Sequence, residues 1–405
     1  MCVQRMENNK YNILIDIHYL HLGGAEMSLI GLLQSLDPDK ISVDLFVHSH
    51  EGELMDYIPE YVNLLSEIPE YSMIERPLRE VVRRGYLRVA FARMKAKLRM
   101  SRYVAKNHPA DCNAIFGFVG DEVDKVIPDI NPGVEYDLAI SFLAPHNYVL
   151  DHTRAKRKIC WIHTDYSTVD VNAELEFPVW GCYDNIISIS PDVTKAFLKV
   201  FPSLKSKIIV VENIISSSFV RQRAEEFKVN LNCTGSINLL SIGRFSEQKN
   251  FDNVPDICKR ILDAGLDVKW YIIGFGGAED LIRKKVAESG MENRVIILGK
   301  KENPYPYIKS CDIYVQPSRY EGKSITVREA QILCKPVVVT NYPTASSQIK
   351  DGVDGVIVPM DNEGCAKGIT QFIKDAEKQE HLIEYLHIHD FGNEAEVDKI
   401  YLLLK

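Results

Sequence analysis

Short apolar runs alternate with segments of helical spacing along almost the whole chain. Residues 11–19 form an apolar run that suits a buried parallel strand. After a short turn, residues 25–36 place apolar side chains at helical spacing, and residues 41–48 form the next apolar run. The chain is therefore predicted to begin with a strand, a helix and a second strand.

The rest of the first half continues this alternation. Four further strands are predicted, separated by helical or loop segments, at residues 137–142, 158–163, 185–190 and 207–212. Such an order is typical of an α/β domain with a mainly parallel sheet.

The second half repeats the pattern after a polar, weakly patterned stretch at 216–236. Strands are predicted at residues 237–243, 268–274, 295–298, 313–316 and 336–340. Helices are predicted between them at residues 255–264, 279–289, 304–311 and 326–333. Two doubly wound domains follow from this repeat, and such sheets bind ligands at the carboxyl ends of their strands.

Length and charge narrow the class of protein. The 405 residues suit two domains, and the net charge of −8 argues against a general nucleic-acid binder. No stretch approaches the roughly 20 apolar residues that a transmembrane helix needs. Residues 1–10 lack the apolar core of a signal peptide. We therefore expect a cytoplasmic protein that is at most peripheral to a membrane.

The nine cysteines are scattered, and no two of them form a C-x-x-C pair. Several lie inside apolar runs, as Cys160 does beside Trp161. This spacing favours buried free thiols in a reducing compartment over a metal site or a disulfide framework.

One segment departs from the acidic balance of the chain. Residues 76–106 carry eleven basic side chains and a single acidic one, Glu80, with apolar residues interleaved. Such a segment can lie on an anionic bilayer. It can equally form a helical hairpin that packs on the domain with its basic face in solvent, and the sequence leaves both interpretations open.

The strongest chemical pattern spans residues 317–330. A buried strand ends, a loop carries Glu321, and a helix begins near Ser324 with Glu329 in its second turn. The first turn of a helix presents free N–H groups and the positive end of a dipole, which suits a phosphate oxygen. Carboxylates beside such a site need hydroxyl donors, which sugars and riboses supply. Two surface acids, one of them capping the helix, remain the alternative.

A second loop carries cations at a strand end. Arg244 and Lys249 follow the strand predicted at 237–243, and two cations there can converge on a diphosphate. Without a metal cluster in the sequence, protein cations would have to neutralise a departing diphosphate. Exposed loop charges are the alternative for this pair.

Weaker patterns lie in the first half. Gly23 and Gly24 follow the first strand and would let a backbone approach a phosphate or sugar, although any tight turn uses such glycines. His163 lies at the end of another strand, where it can bond a sugar hydroxyl or serve a structural role. Neither Gly23-Gly24 nor the glycines at 274–277 form a dinucleotide fingerprint.

Together these segments resemble the GT-B glycosyltransferases, and in particular the large retaining family-4 group. The resemblance rests on the Gly-Gly turn, the G-R-x-x-x-x-K loop from Gly243 to Lys249 and the E-x7-E motif from Glu321 to Glu329. It also includes the Gly352-x-x-Gly355 turn with its following strand, and a closing helix that crosses back to the first domain.

The resemblance implies an α/β GT-B fold of two Rossmann-like domains that face each other across a cleft. The first, residues 1–215, would be the acceptor side, and residues 216–236 an interdomain linker. Residues 237–388 would bind the nucleotide-sugar donor. Residues 389–405 would form the helix that returns to the first domain.

Roles for individual residues follow from the same resemblance. The diphosphate would be bound by Arg244 and Lys249, the ribose by Glu329 and the transferred sugar by Glu321, with His163 reaching the sugar. These groups, apart from Glu329, are the predicted catalytic set. The predicted donor-binding residues are Gly23, Gly24, Gly243, Lys300, Lys301, Lys323, Ser324, Ile325 and Glu329. Neither a metal nor another cofactor is expected.

Two departures bear on the donor. Family members commonly carry E-G-F-G-L where this chain has Glu321-Gly322-Lys323-Ser324-Ile325, so Lys323 adds a cation beside the sugar or phosphate. Residues 340–344 also differ from the usual short loop and resemble those of bacterial surface-polysaccharide enzymes. The identity of the sugar is therefore open.

The expected activity is transfer of a sugar from a nucleoside diphosphate, with UDP favoured, to a hydroxyl of a saccharide or lipid-linked acceptor. Retention of configuration is what the resemblance implies, and a same-face mechanism is expected because no residue stands out as a nucleophile that would form a glycosyl-enzyme. An anionic membrane surface is a further expected partner through residues 76–106, and nucleic acid is not. The alternatives are another GT-B reaction, such as epimerisation or phosphorolysis, and a non-catalytic nucleotide-sugar-binding protein.

Overall fold

The computed structural model describes residues 10–108, 114–167, 169–231 and 235–404. The chain divides into two compact units. Unit 1 comprises Met1–Ile214 and Glu394–Lys405, and unit 2 comprises Ile215–Asn393. Each unit contains one sheet in which every paired strand is parallel. The two parallel α/β domains predicted from the sequence are thereby confirmed.

Unit 1 has a seven-stranded sheet in the order β3-β2-β1-β4-β5-β6-β7. Its strands are β1 Tyr11–Ile17, β2 Ile41–Val47, β3 Asn63–Leu64, β4 Glu135–Ser141, β5 Arg154–Ile162, β6 Asn185–Ser188 and β7 Ile208–Val210. Its helices before the tail are α1 Gly24–Ser35, α2 Pro69–Ser72, α3 Leu78–Arg83, α4 Leu87–Asn107, α5 Ala114–Val123, α6 Asn147–His152, α7 Ala173–Cys182 and α8 Pro191–Val200.

The centre of this sheet explains the apolar runs. Strand β1 pairs with β2 on one side and with β4 on the other, and Ile13, Leu14 and Ile15 are fully buried. A strand with helices on both faces of its sheet needs apolar side chains at consecutive positions. The two-residue strand β3 lies at the sheet edge, and so short a strand has no pattern from which it could be predicted.

Unit 2 has a six-stranded sheet in the order β10-β9-β8-β11-β12-β13. Its strands are β8 Ile237–Ile242, β9 Val268–Ile273, β10 Val295–Gly299, β11 Ile313–Gln316, β12 Val337–Thr340 and β13 Val356–Val358. Its helices are α9 Ser217–Arg223, α10 Val254–Asp263, α11 Glu279–Glu288, α12 Tyr305–Ser310, α13 Ile325–Ile332, α14 Ala345–Gln348, α15 Asn362–Lys374 and α16 Ala376–Ile388.

The segment predicted as a linker contains a helix and lies within unit 2. The side chain of Ser216 caps α9 by accepting a hydrogen bond from the backbone N–H of Phe219 at 3.3 Å. Phe219, Val220 and Arg223 are buried. The start of the predicted linker therefore supplies a helix cap, and burial of Phe219 and Val220 holds the helix in place.

The end of the chain packs on unit 1. A short 3-10 helix, Glu394–Val397, leads into α17, Asp398–Leu403. The hydroxyl of Tyr401 accepts a hydrogen bond from the Asp37 N–H at 2.7 Å, and Arg157 donates to the Leu403 carbonyl at 2.8 Å. The last helix therefore belongs to the first unit, although the first five residues of the predicted segment 389–405 belong to unit 2.

The six cysteines that the structure describes are free thiols. Four of them are buried, namely Cys160, Cys258, Cys311 and Cys365, whereas Cys182 is exposed. Cys2, Cys112 and Cys233 lie outside the described residues. In the described part of the chain, no helix combines the length and the apolar character needed to cross a bilayer.

Both sheets share one topological feature. In unit 1 the strand order reverses between β1 and β4, and in unit 2 it reverses between β8 and β11. At such a switch point the loops that follow two neighbouring strands diverge and leave a crevice at their carboxyl ends. Each unit therefore has a place where the fold itself favours ligand binding.

Candidate active site

At the switch point of unit 2, the loop after β8 is joined to the loop after β11. Asn250 donates a side-chain hydrogen bond to the Pro317 carbonyl at 2.9 Å, and the Arg319 N–H donates to the Gln248 carbonyl at 2.8 Å. The Arg319 guanidinium also pairs with Asp252 at 2.9 Å. The two loops that carry the predicted donor-binding residues are thus held as one structure.

Glycines allow the neighbouring loops to stack closely. A Cβ on Gly243 would lie 3.1 Å from Cδ and Cε of Lys249, so the lysine stem lies across this glycine. Gly274 has φ +153°, and a Cβ there would lie 1.9 Å from the Gly243 carbonyl oxygen. The Phe245 N–H donates to the Phe275 carbonyl at 2.8 Å. Main-chain contact therefore fixes the course of the cation-bearing loop.

Lys249 and Glu321 form an ion pair, with Nζ 2.6 Å from Oε1. Their side chains are only 16% and 6% exposed, so solvent screens the pair weakly. The Glu321 carboxylate also accepts hydrogen bonds from Ser318 at 2.6 Å, Gln316 at 3.2 Å and Gln248 at 3.3 Å. The structure therefore brings these two predicted residues together, and Glu321 holds the lysine in place.

Arg244 differs from Lys249 in its surroundings. It is exposed and forms no ion pair with another residue in the described part of the chain. The loop thus offers one half-buried cation that is paired with Glu321 and one exposed cation that can meet an anion. That division suits a ligand that arrives with negative charge of its own.

Glu329 occupies a different environment from Glu321. It lies on α13, is buried, and accepts a hydrogen bond from the Tyr305 hydroxyl at 2.8 Å. Burial raises its pKa to about 7, against the opposing charge of Arg223. Glu329 is therefore partly protonated near neutral pH.

The start of α13 is already hydrogen-bonded to the protein. The Ser324 N–H donates to Gln348 Oε1 at 2.9 Å, and Gln348 Nε2 donates to the Ser324 carbonyl at 2.7 Å. One of the amides implied to face a ligand is therefore used internally. Lys323 is exposed immediately before this turn, and Ile325 begins the helix.

The loop after β10 carries Lys300 and Lys301. The Lys300 ammonium lies 5.6 Å from the centre of the Phe275 ring, and the Lys301 ammonium lies 5.8 Å from that of Tyr307. The Gly274 N–H donates to the Gly299 carbonyl at 3.0 Å. Backbone bonds thus join this loop to the glycine loop at the same edge of the sheet.

In unit 1, the turn at Gly23 and Gly24 faces a carboxylate of the protein itself. Gly23 precedes the first residue of α1, and a Cβ on it would lie 2.1 Å from Glu26 Oε2. Glu26 is buried, and burial raises its pKa. The space beside Gly23 is therefore filled by Glu26 at the positive end of the helix, whereas a Cβ on Gly24 would meet nothing within 4 Å.

His163 directly follows β5 and packs among aromatic rings. Its ring centre lies 4.7 Å from that of Phe142 and 6.1 Å from that of Trp161, to which it is nearly parallel. Burial lowers its pKa to about 3, so the ring is neutral at physiological pH. Its Nε2 atom is buried and has no hydrogen-bond partner among the described residues.

A cavity of about 280 Å³ lies at the switch point of unit 1. It is lined by residues that follow β1, β4 and β5, and by one side of α7. At its edge, His18 Nδ1 lies 2.9 Å from Glu75 Oε1, and the His18 ring stacks on that of His48 at 4.7 Å. His48 in turn bonds the buried Asp16 at 2.7 Å. No local sequence pattern marks these groups, because only the fold brings them together.

In unit 2, several residues that bond to the predicted site residues were not predicted from the sequence. Gln316 and Ser318 could have been found, because polar residues at the end of a buried strand need hydrogen-bond partners. Tyr305 and Gln348 could not, because only the fold brings them to Glu329 and Ser324. Within the described residues, no group of three or more His, Cys, Asp or Glu side chains is arranged to hold a metal ion.

Comparison with known proteins adds to this geometry. Residues 222–387 match the family described as glycosyl transferases group 1. That stretch lies within unit 2 and contains both loops of its switch point, with Arg244, Lys249, Glu321 and Glu329. The resemblance of these motifs to those of glycosyltransferases is confirmed for this part of the chain.

Two curated relatives illustrate the range of the match. The lipopolysaccharide core biosynthesis glycosyltransferase LpsE of Rhizobium meliloti is 28% identical over 170 residues, 41% of this chain and 49% of the relative. The N-acetylgalactosamine-N,N'-diacetylbacillosaminyl-diphospho-undecaprenol 4-alpha-N-acetylgalactosaminyltransferase of Campylobacter jejuni is 28% identical over 139 residues, 34% of this chain and 37% of the relative. The chain thus spans less than half the length of these relatives.

A solved structure extends the likeness to both units. The crystal structure of Anabaena Alr3699/HepE in complex with UDP aligns with a TM-score of 0.61 and 17% identity, covering 97% of this chain and 99% of that one. The fold is that of the GT-B glycosyltransferases, which confirms the predicted fold class.

Proposed function

We propose that the protein is a glycosyltransferase that transfers a sugar from a UDP-sugar to a hydroxyl, with retention of configuration and without a metal ion. One observation carries the proposal. The Lys249–Glu321 ion pair, exposed Arg244 and buried Glu329 surround the switch point of the unit that matches a glycosyltransferase family. The relatives named above are glycosyltransferases, and HepE was crystallised with UDP.

In this proposal the donor diphosphate binds between Arg244 and Lys249. Glu321 holds the ammonium of Lys249 at 2.6 Å before any ligand binds, so little reorganisation is needed when the phosphates arrive. Glu329 accepts the ribose hydroxyls, and the loop with Lys300 and Lys301 frames the base. Glu321 also borders the transferred sugar. Lys323 adds a positive charge beside the sugar or phosphate, and this charge influences which donor sugar binds.

The reaction breaks the bond between the anomeric carbon and the diphosphate oxygen. A new bond forms between that carbon and the acceptor oxygen on the same face of the sugar. The acceptor proton passes to an oxygen of the leaving diphosphate. Arg244 and Lys249 stabilise the charge that develops on this group, which lowers the barrier without a protein nucleophile.

We place the acceptor hydroxyl at the cavity of unit 1. Apolar side chains and the carboxylates of Glu26 and Glu176 line this cavity, which suits a molecule with both hydroxyl groups and an apolar part. The relatives act, by their names, in lipopolysaccharide core biosynthesis and on a diphospho-undecaprenol substrate. We therefore propose a saccharide or lipid-linked acceptor in surface or capsular polysaccharide synthesis, at the cytoplasmic face of a membrane.

Thermal stabilisation by a panel of nucleotide sugars tests donor binding, because a bound ligand stabilises the folded state by mass action. UDP-sugars should raise Tm more than GDP-, ADP- or dTDP-sugars. Arg244→Ala and Lys249→Ala should lower donor turnover by about a hundredfold or more. Lys259→Ala, which alters an exposed lysine on α10, is the matched control and should retain wild-type turnover.

Product analysis separates the proposal from its alternatives. A sugar linked to an acceptor or to water indicates transfer, whereas an isomerised free sugar indicates epimerisation and a sugar phosphate indicates phosphorolysis. Tight donor binding without turnover would identify a binding protein and overturn the proposed activity.

A further inference from the structure

Helix α4 is packed on unit 1 through one narrow face. Val89, Ala90, Ala92 and Ala96 are buried, and the helix lies against α3 and α5. Met100 and Tyr103 pack beside Ala96 in a small cluster with Phe118. The apolar residues on this face have therefore found partners within the protein.

The opposite face of α4 exposes large apolar side chains. Leu87 is 62% exposed, Phe91 66%, Met94 48% and Leu98 53%. Their spacing of four, three and four residues places them in one row over three helical turns. Single exposed apolar residues are ordinary, but a continuous row opposite the packed face indicates an interaction surface. We call these four residues the α4 stripe.

The charges of α4 all have one sign. The helix carries seven basic residues and no acidic one. Three of the cations bond to the protein: Arg93 donates to the Met73 carbonyl at 2.9 Å, Lys95 pairs with Glu122 at 2.8 Å, and Arg99 pairs with Asp121 and Glu122. These contacts account for three of the seven cations of the helix.

The remaining cations are left for a partner. Arg88, Lys97, Arg102 and Lys106 are exposed and form no ion pair with another residue that the structure describes. By helical periodicity Arg88 and Arg102 border one side of the α4 stripe, and Lys97 borders the other. An apolar row between two cationic borders matches a bilayer interface, where anionic headgroups lie beside acyl chains.

We propose that the α4 stripe inserts into the interfacial region of a membrane that contains anionic lipid. The flanking cations meet the headgroups, and the four apolar side chains enter the boundary of the acyl chains. This inference rests on the membrane location given under the proposed function. It also explains why residues 76–106 combine basic and exposed apolar side chains. A second copy of the chain fits less well, because antiparallel or parallel pairing of α4 would oppose two sets of seven cations.

Co-sedimentation with vesicles tests the proposal on the full chain. Vesicles of phosphatidylcholine with phosphatidylglycerol should bind the protein at low salt, and vesicles of phosphatidylcholine alone should bind it far less. Phe91→Ser with Leu98→Ser should reduce binding about tenfold or more. The matched control, Ile388→Ser with Leu402→Ser, removes two other exposed apolar residues and should bind like the wild type.

Insertion is separated from simple charge attraction by two further measurements. Lys97→Glu with Arg102→Glu should abolish binding, whereas Lys284→Glu with Lys285→Glu on α11 should leave it unchanged. A tryptophan placed at position 91 should shift its emission to the blue when anionic vesicles are added. No shift, or a double serine variant that still binds fully, would overturn insertion by the α4 stripe.

Two controls keep this proposal distinct from donor binding and from self-association. UDP should stabilise the serine variant and the wild type equally, so loss of the UDP effect in both would count against the proposed function alone. Light scattering should give one mass for both proteins. If the wild type were larger and failed to bind vesicles, a second copy would be the occupant and the membrane proposal would fail.

Discussion

Lys249 is bound through its ammonium to Glu321, 2.6 Å away, and through its stem to the surface of Gly243, where a Cβ would lie 3.1 Å from it. Its position is therefore defined at both ends before a ligand arrives. The residues come from loops 72 positions apart, and the switch point of the sheet brings them together.

Loss of one charge of this ion pair should destabilise the protein more than loss of both charges. Lys249→Met leaves a buried carboxylate without its cation and should lower the free energy of unfolding by about 2 to 4 kcal/mol. Lys249→Met with Glu321→Gln should recover more than half of that loss, because neither charge remains. Urea unfolding of the wild type, both single variants and the double variant measures the coupling. Simple addition of the single effects would mean that the pair is not energetically coupled.

Gly243→Ala should impair the site without unfolding the chain. The new methyl group would push the Lys249 stem aside by a few tenths of an ångström and misalign its ammonium. We therefore expect donor affinity and turnover to fall by about tenfold. Gly277→Ala is the matched control, since a Cβ there meets nothing within 4 Å. Isothermal titration with UDP and a turnover assay compare the variants. Wild-type affinity in Gly243→Ala would show that the lysine does not need its present position.

Glu329 should make stability depend on pH in a defined direction. Its pKa is about 7 in the folded protein against a reference of 4.5, so between these values the folded state binds more protons than the unfolded state. The contribution of Glu329 to the free energy of unfolding is therefore fully present below about pH 4.5 and is lost as pH rises through about 7. Glu329→Gln removes this loss and keeps an acceptor for Tyr305.

The stability of Glu329→Gln relative to the wild type should thus rise by up to about 3 kcal/mol from pH 4.5 to pH 8. Urea unfolding at several pH values measures the difference. Glu384→Gln, which changes an exposed carboxylate on α16, should show no such trend. A flat difference for Glu329→Gln would mean that the buried carboxyl is already ionised well below pH 7.

His163 should not contribute a titration to the pH dependence of activity. Burial lowers its pKa to about 3, so it stays neutral from pH 5 to 9 and can only accept or donate a hydrogen bond. His163→Gln should lower kcat/KM for the donor while the shape of the pH profile stays the same. Loss of an acidic limb near pH 6 in this variant would show that the histidine titrates in the ordinary range.

The sequence predicts the two sheets well because buried parallel strands must be apolar at consecutive positions. The run 237–243 became β8, and 313–316 became β11 with the same bounds. The segment 216–236 was predicted as a linker, but it contains a helix. A serine such as Ser216 occurs both in connections and at helix caps. The burial of Phe219, which favours the helix, depends on the rest of unit 2.

The sequence predicted which residues lie at the candidate site, but it did not predict which of them contact one another. Loop positions at strand ends pointed to Lys249 and Glu321, yet sequence spacing carries no information on their ion pair. The glycines at 23 and 24 suggested open space for a ligand; the Glu26 carboxylate fills the space beside Gly23, and a Cβ on Gly24 would meet nothing within 4 Å. Such outcomes depend on side-chain directions across different elements, which local patterns do not determine.

The backbone-to-backbone stacking of Gly274 against Gly243 has an evolutionary consequence. Main-chain atoms hold the loop after β8, while Arg244 and Lys323 project from the surface with no part in that stacking. Under the proposed function Arg244 must stay to bind the diphosphate, whereas a substitution of the exposed Lys323 would change the surroundings of the sugar and leave these main-chain contacts intact. A change of donor sugar would therefore need few mutations in these loops, because their main-chain geometry would stay the same.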